Sequence, residues 1–212
     1  MKSLCLSLLF AVAASAGVPA EPGPVLVPGQ YDAGWRELFA ALAAQGPIYS
    51  TFTENRWFTV KKDPIVLHGE LRHSAARGLS LHYTAPEEQL AVIDARGVLI
   101  RTAKGRTHEI AADPHTPRAD AALLPVMRGD LPELQKVFEV HAARDGDDWR
   151  LDFVPRDPAL AHQTGTITVS GSGLLVHRLQ FQRSARQRVE VLIEETRTGV
   201  TFTPEEEKRF FR

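Results

Sequence analysis

Hydrophobic side chains recur along this 212-residue chain with two different periods. Trp35, Leu38, Phe39 and Leu42 fall at i, i+3, i+4 and i+7. Asp32 stands where an N-cap belongs and Gly46-Pro47 where a stop belongs, so the spacing predicts one amphipathic helix. From Ile48 the period drops to two, which predicts strands over 48–60, 65–72, 79–83, 90–94, 98–102 and 107–111. Ala95-Arg96-Gly97 forms the turn of one hairpin. Helical spacing returns over 117–137, where Ala119, Ala122, Leu123, Val126 and Met127 share a face that Pro125 interrupts. Asp130-Leu131-Pro132 then opens a second short helix. Strands follow over 138–142 and 149–153 around Asp145-Gly146-Asp147, over 165–170 and 174–182 around Gly171-Ser172-Gly173, and over 189–195. Thr203-Pro204-Glu205 begins a last helix.

Strands spaced as hairpins, with no βαβ rhythm, predict a mostly β fold built on one large antiparallel sheet. A sheet of about eleven strands must curl or close to hide its edges. The expected architecture is therefore a curled or closed antiparallel sheet with covering helices, one at the N-terminus and one as an insert between the two sets of strands. Its apolar concave face suits an apolar ligand.

The first residues read differently. Lys2 gives a basic start, residues 4–14 an apolar run too short to span a bilayer, and Ala14-Ser15-Ala16 a small-x-small cleavage site. We expect a signal peptide over 1–16 removed after Ala16, a flexible leader over 17–30 rich in Pro and Gly, and a single domain over 31–212. The only cysteine, Cys5, lies within the signal, so the mature chain has no thiol: no disulfide and no Cys-ligated metal. Export without disulfides fits a bacterial periplasm. The near-balanced charge, 25 Lys and Arg against 26 Asp and Glu, argues against nucleic acid as partner.

Nothing in the chain asks for an enzyme, a cofactor or a metal. The eight histidines, His68, His73, His82, His108, His115, His141, His162 and His177, include no HExxH and no i, i+4 pair, and are expected on the surface. Ser170-Gly171-Ser172-Gly173 lacks the first glycine of a nucleophile elbow. Glu194 and Glu195 are adjacent on a strand and face opposite ways, and the Glu205–Glu207 run suits a helix N-terminus.

The order of several segments resembles the periplasmic outer-membrane lipoprotein carrier (LolA) family, from about Trp35 to Phe202. After the N-terminal helix come Phe52-Thr53-Glu54-Asn55, then Gly69-Glu70-Leu71. Leu79-Ser80-Leu81-His82-Tyr83-Thr84-Ala85-Pro86 matches a strand ending in Pro, and Val92-Ile93-Asp94-Ala95-Arg96-Gly97 a strand and turn. The chain departs where the family tends to carry an Arg-Pro pair tied to control of the lid. Here Ala75-Ala76 stands, with Arg77 displaced towards the strand, and Leu81 takes the place of a common Trp. Leu131-Pro132-x-Leu134 and Trp149-x-Leu151-x-Phe153-x-Pro155 resemble a divergent subgroup.

The resemblance implies an incomplete barrel, a curled half-barrel closed on one side by helices, with an acyl-binding cavity. It also implies acylated lipoprotein or lipid cargo, an inner-membrane donor and an outer-membrane acceptor, and a monomer without stable membrane insertion. The alternative is a non-transport lipid-binding accessory of an envelope lipid or aryl-polyene synthesis system. Alternation places the cavity wall at Leu67, Leu71, Leu79, Leu81, Tyr83, Val92, Phe138, Val140, Trp149, Leu151, Phe153, Ile167, Val169, Leu179, Phe181, Val191 and Ile193. Ala119, Leu123, Val126 and Met127 would form a mobile lid, with Pro125 and Gly129 as its hinge.

Overall fold

Asp32 caps the first helix, α1 (Ala33–Ala43), by accepting from the Trp35 amide at 3.0 Å, and Trp35, Leu38, Phe39 and Leu42 are its buried stripe. The computed structural model describes residues 21–112, 124, 125, 128 and 130–212. The expected signal over 1–16 and the lid residues Ala119, Leu123, Val126 and Met127 lie outside the described residues. After α1 a meander of six strands runs through β1 (Ile48–Trp57), β2 (Ile65–Ser74), β3 (Gly78–Ala85), β4 (Gln89–Asp94), β5 (Gly97–Thr102) and β6 (Thr107–Ala111). A short helix, α2 (Leu131–Val137), leads into β7 (Phe138–Asp145) and β8 (Asp148–Pro155). Helix α3 (Pro158–Thr164) precedes β9 (Thr166–Ser172), β10 (Leu175–Ser184) and β11 (Gln187–Thr198), and α4 (Pro204–Phe210) ends the chain.

All eleven strands form one antiparallel sheet in the order β6-β5-β4-β3-β2-β1-β11-β10-β9-β8-β7, curled and not closed. The two meanders meet where β1 pairs with β11, with Phe52 opposite Ile193 and Glu54 opposite Val191. Cross-strand partners share a face, so the pairings fix two sides. The inner face packs on α1, α2 and α3 and holds the main core, including Phe52, Leu71, Leu79, Trp149, Leu151, Phe153, Ile167 and Leu179. Two glycines make room for its aromatic rings. A Cβ at Gly69 would lie 2.6 Å from the Phe52 ring opposite, and one at Gly171 would lie 2.5 Å from the Trp149 ring.

The outer face carries a second core of Leu90, Val92, Leu99, Phe210 and Phe211, covered by α4. A complete capping box starts that helix, with Thr203 accepting from the Glu206 amide and the Glu206 side chain accepting from Thr203. Among the described residues no helix is long and apolar enough to cross a membrane.

Three expectations need correction. Gly171 and Ser172 belong to β9 rather than to a turn, because the sheet needs a glycine beneath Trp149. Helix α3 was not expected, since its seven residues bury only Leu160 and Thr164 and show no period. Part of the leader expected over 17–30 belongs to the fold. Leu26 donates to the Val140 carbonyl at 2.7 Å, Ala142 donates to that of Pro24 at 3.0 Å, and Leu26 is buried. These residues pair with the edge strand β7, which would otherwise offer unsatisfied backbone groups.

The C-terminal Arg212 locks the outer layer to the β4–β5 hairpin. Its guanidinium donates to both Asp94 oxygens, at 2.8 and 2.6 Å. The Arg212 hydrogen bond is the main reason the Asp94 carboxyl is held down at about 2. A carboxyl depressed on folding stabilises the protein fully above its ordinary value near 3.9 and ceases to do so as pH falls through its folded value. Urea unfolding should therefore show stability declining from about pH 4 towards 2. Arg212→Ala should flatten that part of the decline.

Candidate functional site

The inner face is not filled evenly. Phe138, Val140, Trp149, Leu151, Phe153, Ile167 and Val169 are all buried to 3% exposure or less in the core on β7–β9. They pack into the part of the sheet that also holds buried Leu131 and Leu134 of α2 and Leu160 of α3, and they do not line the large cavity. Over β1–β5, β10 and β11 the face stays open as a cavity of about 450 Å³. That volume lies within the roughly 300–1,000 Å³ of small-molecule sites.

Of the expected wall, Leu71, Leu79, Leu81, Tyr83, Leu179, Phe181 and Val191 surround this cavity. Leu67 is half-buried against the same core, and Ile193 lines a small separate pocket with Leu42, Ile48 and Leu71. Val92 is a correction: it faces the other way, fully buried beneath α4. Pairing decides this, because Val92 lies opposite Ser80 and Leu99, whereas Ala91 and Ile93 lie opposite Leu81 and Leu79. Leu90-Ala91-Val92-Ile93 is apolar throughout because both of its faces are covered, so alternation carries no sign there.

Residues not foreseen from sequence complete the wall: Phe52, Ala91, Ile93, Val98, Ile100 and Val189, the polar Gln89, Gln163 and Thr164, and a charged group at one end. Glu54 is 4% exposed on β1, one inward position beyond Phe52. Its Oε2 accepts from the Tyr83 hydroxyl at 2.8 Å, and its Oε1 accepts from Arg56 Nε. Tyr83 stands edge-on to Phe52, with ring centroids 5.3 Å apart. Burial first, and then the Glu54 carboxylate, push the Tyr83 phenol well above its ordinary value. Burial works against the charge of Arg56, but the Glu54 hydrogen bond and charge outweigh it and leave the guanidinium raised. The i, i+2 spacing of Phe52, Glu54 and Arg56 was the available signal, since it puts all three on one strand face.

A second recess, of about 320 Å³, adjoins the cavity and shares Glu54, Arg56, Phe181, Arg183 and Val189 with it. It continues to Trp57, Phe58 and Arg188 at the ends of β1 and β11.

At the opposite end of β2 lies His73, expected on the surface but 4% exposed, with both ring nitrogens lacking a hydrogen-bond partner. Burial first, and then the nearby Arg128, lower its pKa to about 4. Arg128 follows the expected lid segment and donates to the Ala75 carbonyl at 3.3 Å, and Leu124 beside it is buried in the inner core. Arg77 is engaged elsewhere: it donates to Glu207 of α4 at 2.8 Å. The cation that reaches the Ala75-Ala76 corner on the inner side thus comes from residue 128.

Two outcomes follow. His73 should stay neutral until about pH 4 when followed by NMR, and Arg128→Gln should raise its pKa. Gly69→Ala should destabilise the protein by about 1–3 kcal/mol in urea unfolding, because a Cβ there would meet the His82 carbonyl oxygen at 2.5 Å and the Phe52 ring at 2.6 Å, and both strand and ring must shift.

Comparison with known proteins places the site in context. The family model described as outer membrane lipoprotein carrier protein LolA-like matches residues 27–184. Among solved structures, a LolA superfamily protein from Nitrosomonas europaea is similar at 7% identity, with 84% of this chain and 97% of that chain covered and a TM-score of 0.44. A putative outer membrane lipoprotein-sorting protein domain from Vibrio parahaemolyticus aligns at 8% identity, 83% and 95% coverage and a TM-score of 0.44. The MucA/MucB complex structure from Pseudomonas aeruginosa aligns at 17% identity, 81% and 58% coverage and a TM-score of 0.45. No curated protein sequence matches.

Proposed function

Because this chain belongs to the LolA-like family of outer membrane lipoprotein carrier proteins, we propose that it is a periplasmic carrier that holds acyl chains in the cavity over β1–β5, β10 and β11. The observation that carries this reading is the uneven inner face. Half of it is packed by helices, and the other half is left as a 450 Å³ cavity walled mostly by aliphatic and aromatic side chains. Residues 1–16 would direct export and be removed, and the cargo would be an acylated lipoprotein or another lipid. The chain would take its cargo from an inner-membrane donor and pass it to an outer-membrane acceptor.

The energetics suit carriage without chemistry. Each buried methylene contributes ~0.8 kcal/mol, so a chain of about fifteen offers on the order of 10 kcal/mol. Delivery then depends on weakening that hold. The lid residues Ala119, Leu123, Val126 and Met127 would occupy the mouth when cargo is absent, and the contact from Arg128 to Ala75 would fix the end of that segment. Binding would have to displace the lid, which lowers net affinity and makes release reachable.

The test is native mass spectrometry with lipid extraction on the mature protein purified from its own periplasm. A stoichiometric acylated species is expected. Ala91→Trp, which fills the cavity from a half-buried position, should reduce its occupancy about tenfold, a loss of ~1.4 kcal/mol of binding, with little change in thermal midpoint. A protein that emerges free of lipid, and that also fails to bind a fluorescent fatty acid, would overturn the reading.

A further inference from the structure

The cavity has one polar end, and its charge is unbalanced. The end is formed by Glu54 and Arg56 of β1 and Arg183 at the end of β10, two cations against one carboxylate. The carboxylate is committed, because both Glu54 oxygens already accept hydrogen bonds, from Arg56 and from Tyr83. Arg56 spends Nε on that bond and touches the Tyr83 hydroxyl through one terminal nitrogen at 3.5 Å. Its side chain is 37% exposed, so the other terminal nitrogen stays available towards the recess. Arg183 is exposed, and its one hydrogen bond is a long contact of 3.4 Å to the His162 carbonyl. It has no carboxylate partner among the described residues. Arg188 belongs to the other face: it pairs with Trp57 and Gln182, alternates with Val189, and stacks on the Trp57 ring at 3.9 Å.

Arg183 leaves one positive charge unbalanced at the end of an apolar cavity. A neutral acyl group would leave it merely solvated, whereas an anionic head on the same molecule would meet it, beside the free edge of Arg56, as its chain entered the cavity. Guanidinium forks match carboxylate and phosphate oxygens alike. The positions fit one ligand, since the cavity and the adjoining recess share Arg56, Arg183, Phe181 and Val189.

We infer that the ligand is an anionic amphiphile, whose chain lies in the cavity over β1–β5 and whose carboxylate or phosphate head is held at the recess by Arg183, with the free edge of Arg56. This rests on the acyl-binding reading and narrows it to a head-group class. It sets such lipids apart from cargo whose acyl chains end in an uncharged group.

The test uses the mature protein with a neutral naphthylamine dye in the cavity, displaced by four twelve-carbon probes: dodecanoate, dodecyl phosphate, dodecanol and dodecyltrimethylammonium. Dodecanoate and dodecyl phosphate should displace the dye at concentrations about tenfold lower than the other two, as charge-assisted hydrogen bonds predict. That ratio should fall towards one in Arg183→Gln. It should persist in Arg188→Gln, a change on the opposite face of the sheet, and in Arg106→Gln, a change at the β5–β6 turn. Equal displacement by dodecanoate and dodecanol in the unaltered protein would overturn the inference while leaving acyl binding intact, and so would a ratio that survives in Arg183→Gln. If the dye does not bind and no probe binds, the carrier reading itself fails.

Discussion

The pairing of β1 with β11 joins two meanders that lie far apart in sequence, and the cavity straddles that seam. Phe52, Glu54 and Arg56 come from one side, and Val189, Val191, Leu179 and Phe181 from the other. Closing so long a loop costs conformational entropy, which only the full ladder and the burial beneath it can offset. The seam is therefore hydrogen-bonded through both backbone and side chain, with the Ser50 and Thr196 hydroxyls 2.9 Å apart. Without that register neither half presents a concave wall, and neither Glu54 nor Arg56 would face Phe181 and Arg183.

From the seam outward the two halves solve different problems. On β7–β9 the inner face meets α1, α2 and α3 and is packed dry, with Trp149 seated over Gly171 and its indole nitrogen donating to the Gly173 carbonyl at 2.9 Å. Over β1–β5, β10 and β11 the same kind of aliphatic surface is left lining the cavity, which α3 borders through Gln163 and Thr164. Stability is thus concentrated in one half and binding in the other. The outer layer supports the binding half: α4 covers Leu90, Val92 and Leu99, and Arg72 lays its guanidinium over the Phe210 ring at 3.7 Å. A thin, half-empty sheet keeps its shape there because its far side is reinforced.

Much of this was legible in the sequence wherever the two faces of a strand differ in polarity. Leu79-x-Leu81-x-Tyr83 alternates with the polar Ser80 and His82, and its cavity side follows from the period alone, although Ser80 is itself buried beneath the outer layer. The helix caps at Asp32, Asp130 and Thr203 also announce themselves through residue type. Legibility fails where burial is two-sided, as at Leu90-Ala91-Val92-Ile93, because alternation then has nothing to contrast. It fails again at Glu54 and Arg56, since polarity on a strand reads as outward unless its partners are known. The same holds for His73, buried with no partner for its ring. Helix α3 is too short to show a period, although Asp157-Pro158 and Gly165 mark its two ends. Each failure has one cause: a local pattern records the polarity of a side chain but not what lies across from it.

The docking of residues 24–26 on β7 bears on how copies of this protein can associate. An open sheet has two edges, and end-to-end growth through strand pairing needs both, one to join and one to be joined. Here the chain seals its β7 edge with its own backbone, through Leu26 and Ala142. Among the described residues that leaves the outer edge of β6, paired on its other side with β5, without a backbone partner. In the language of polymer chemistry the molecule is monofunctional at its edges. Two copies could meet along β6, but the pair would then have no free end from which a fibre could grow.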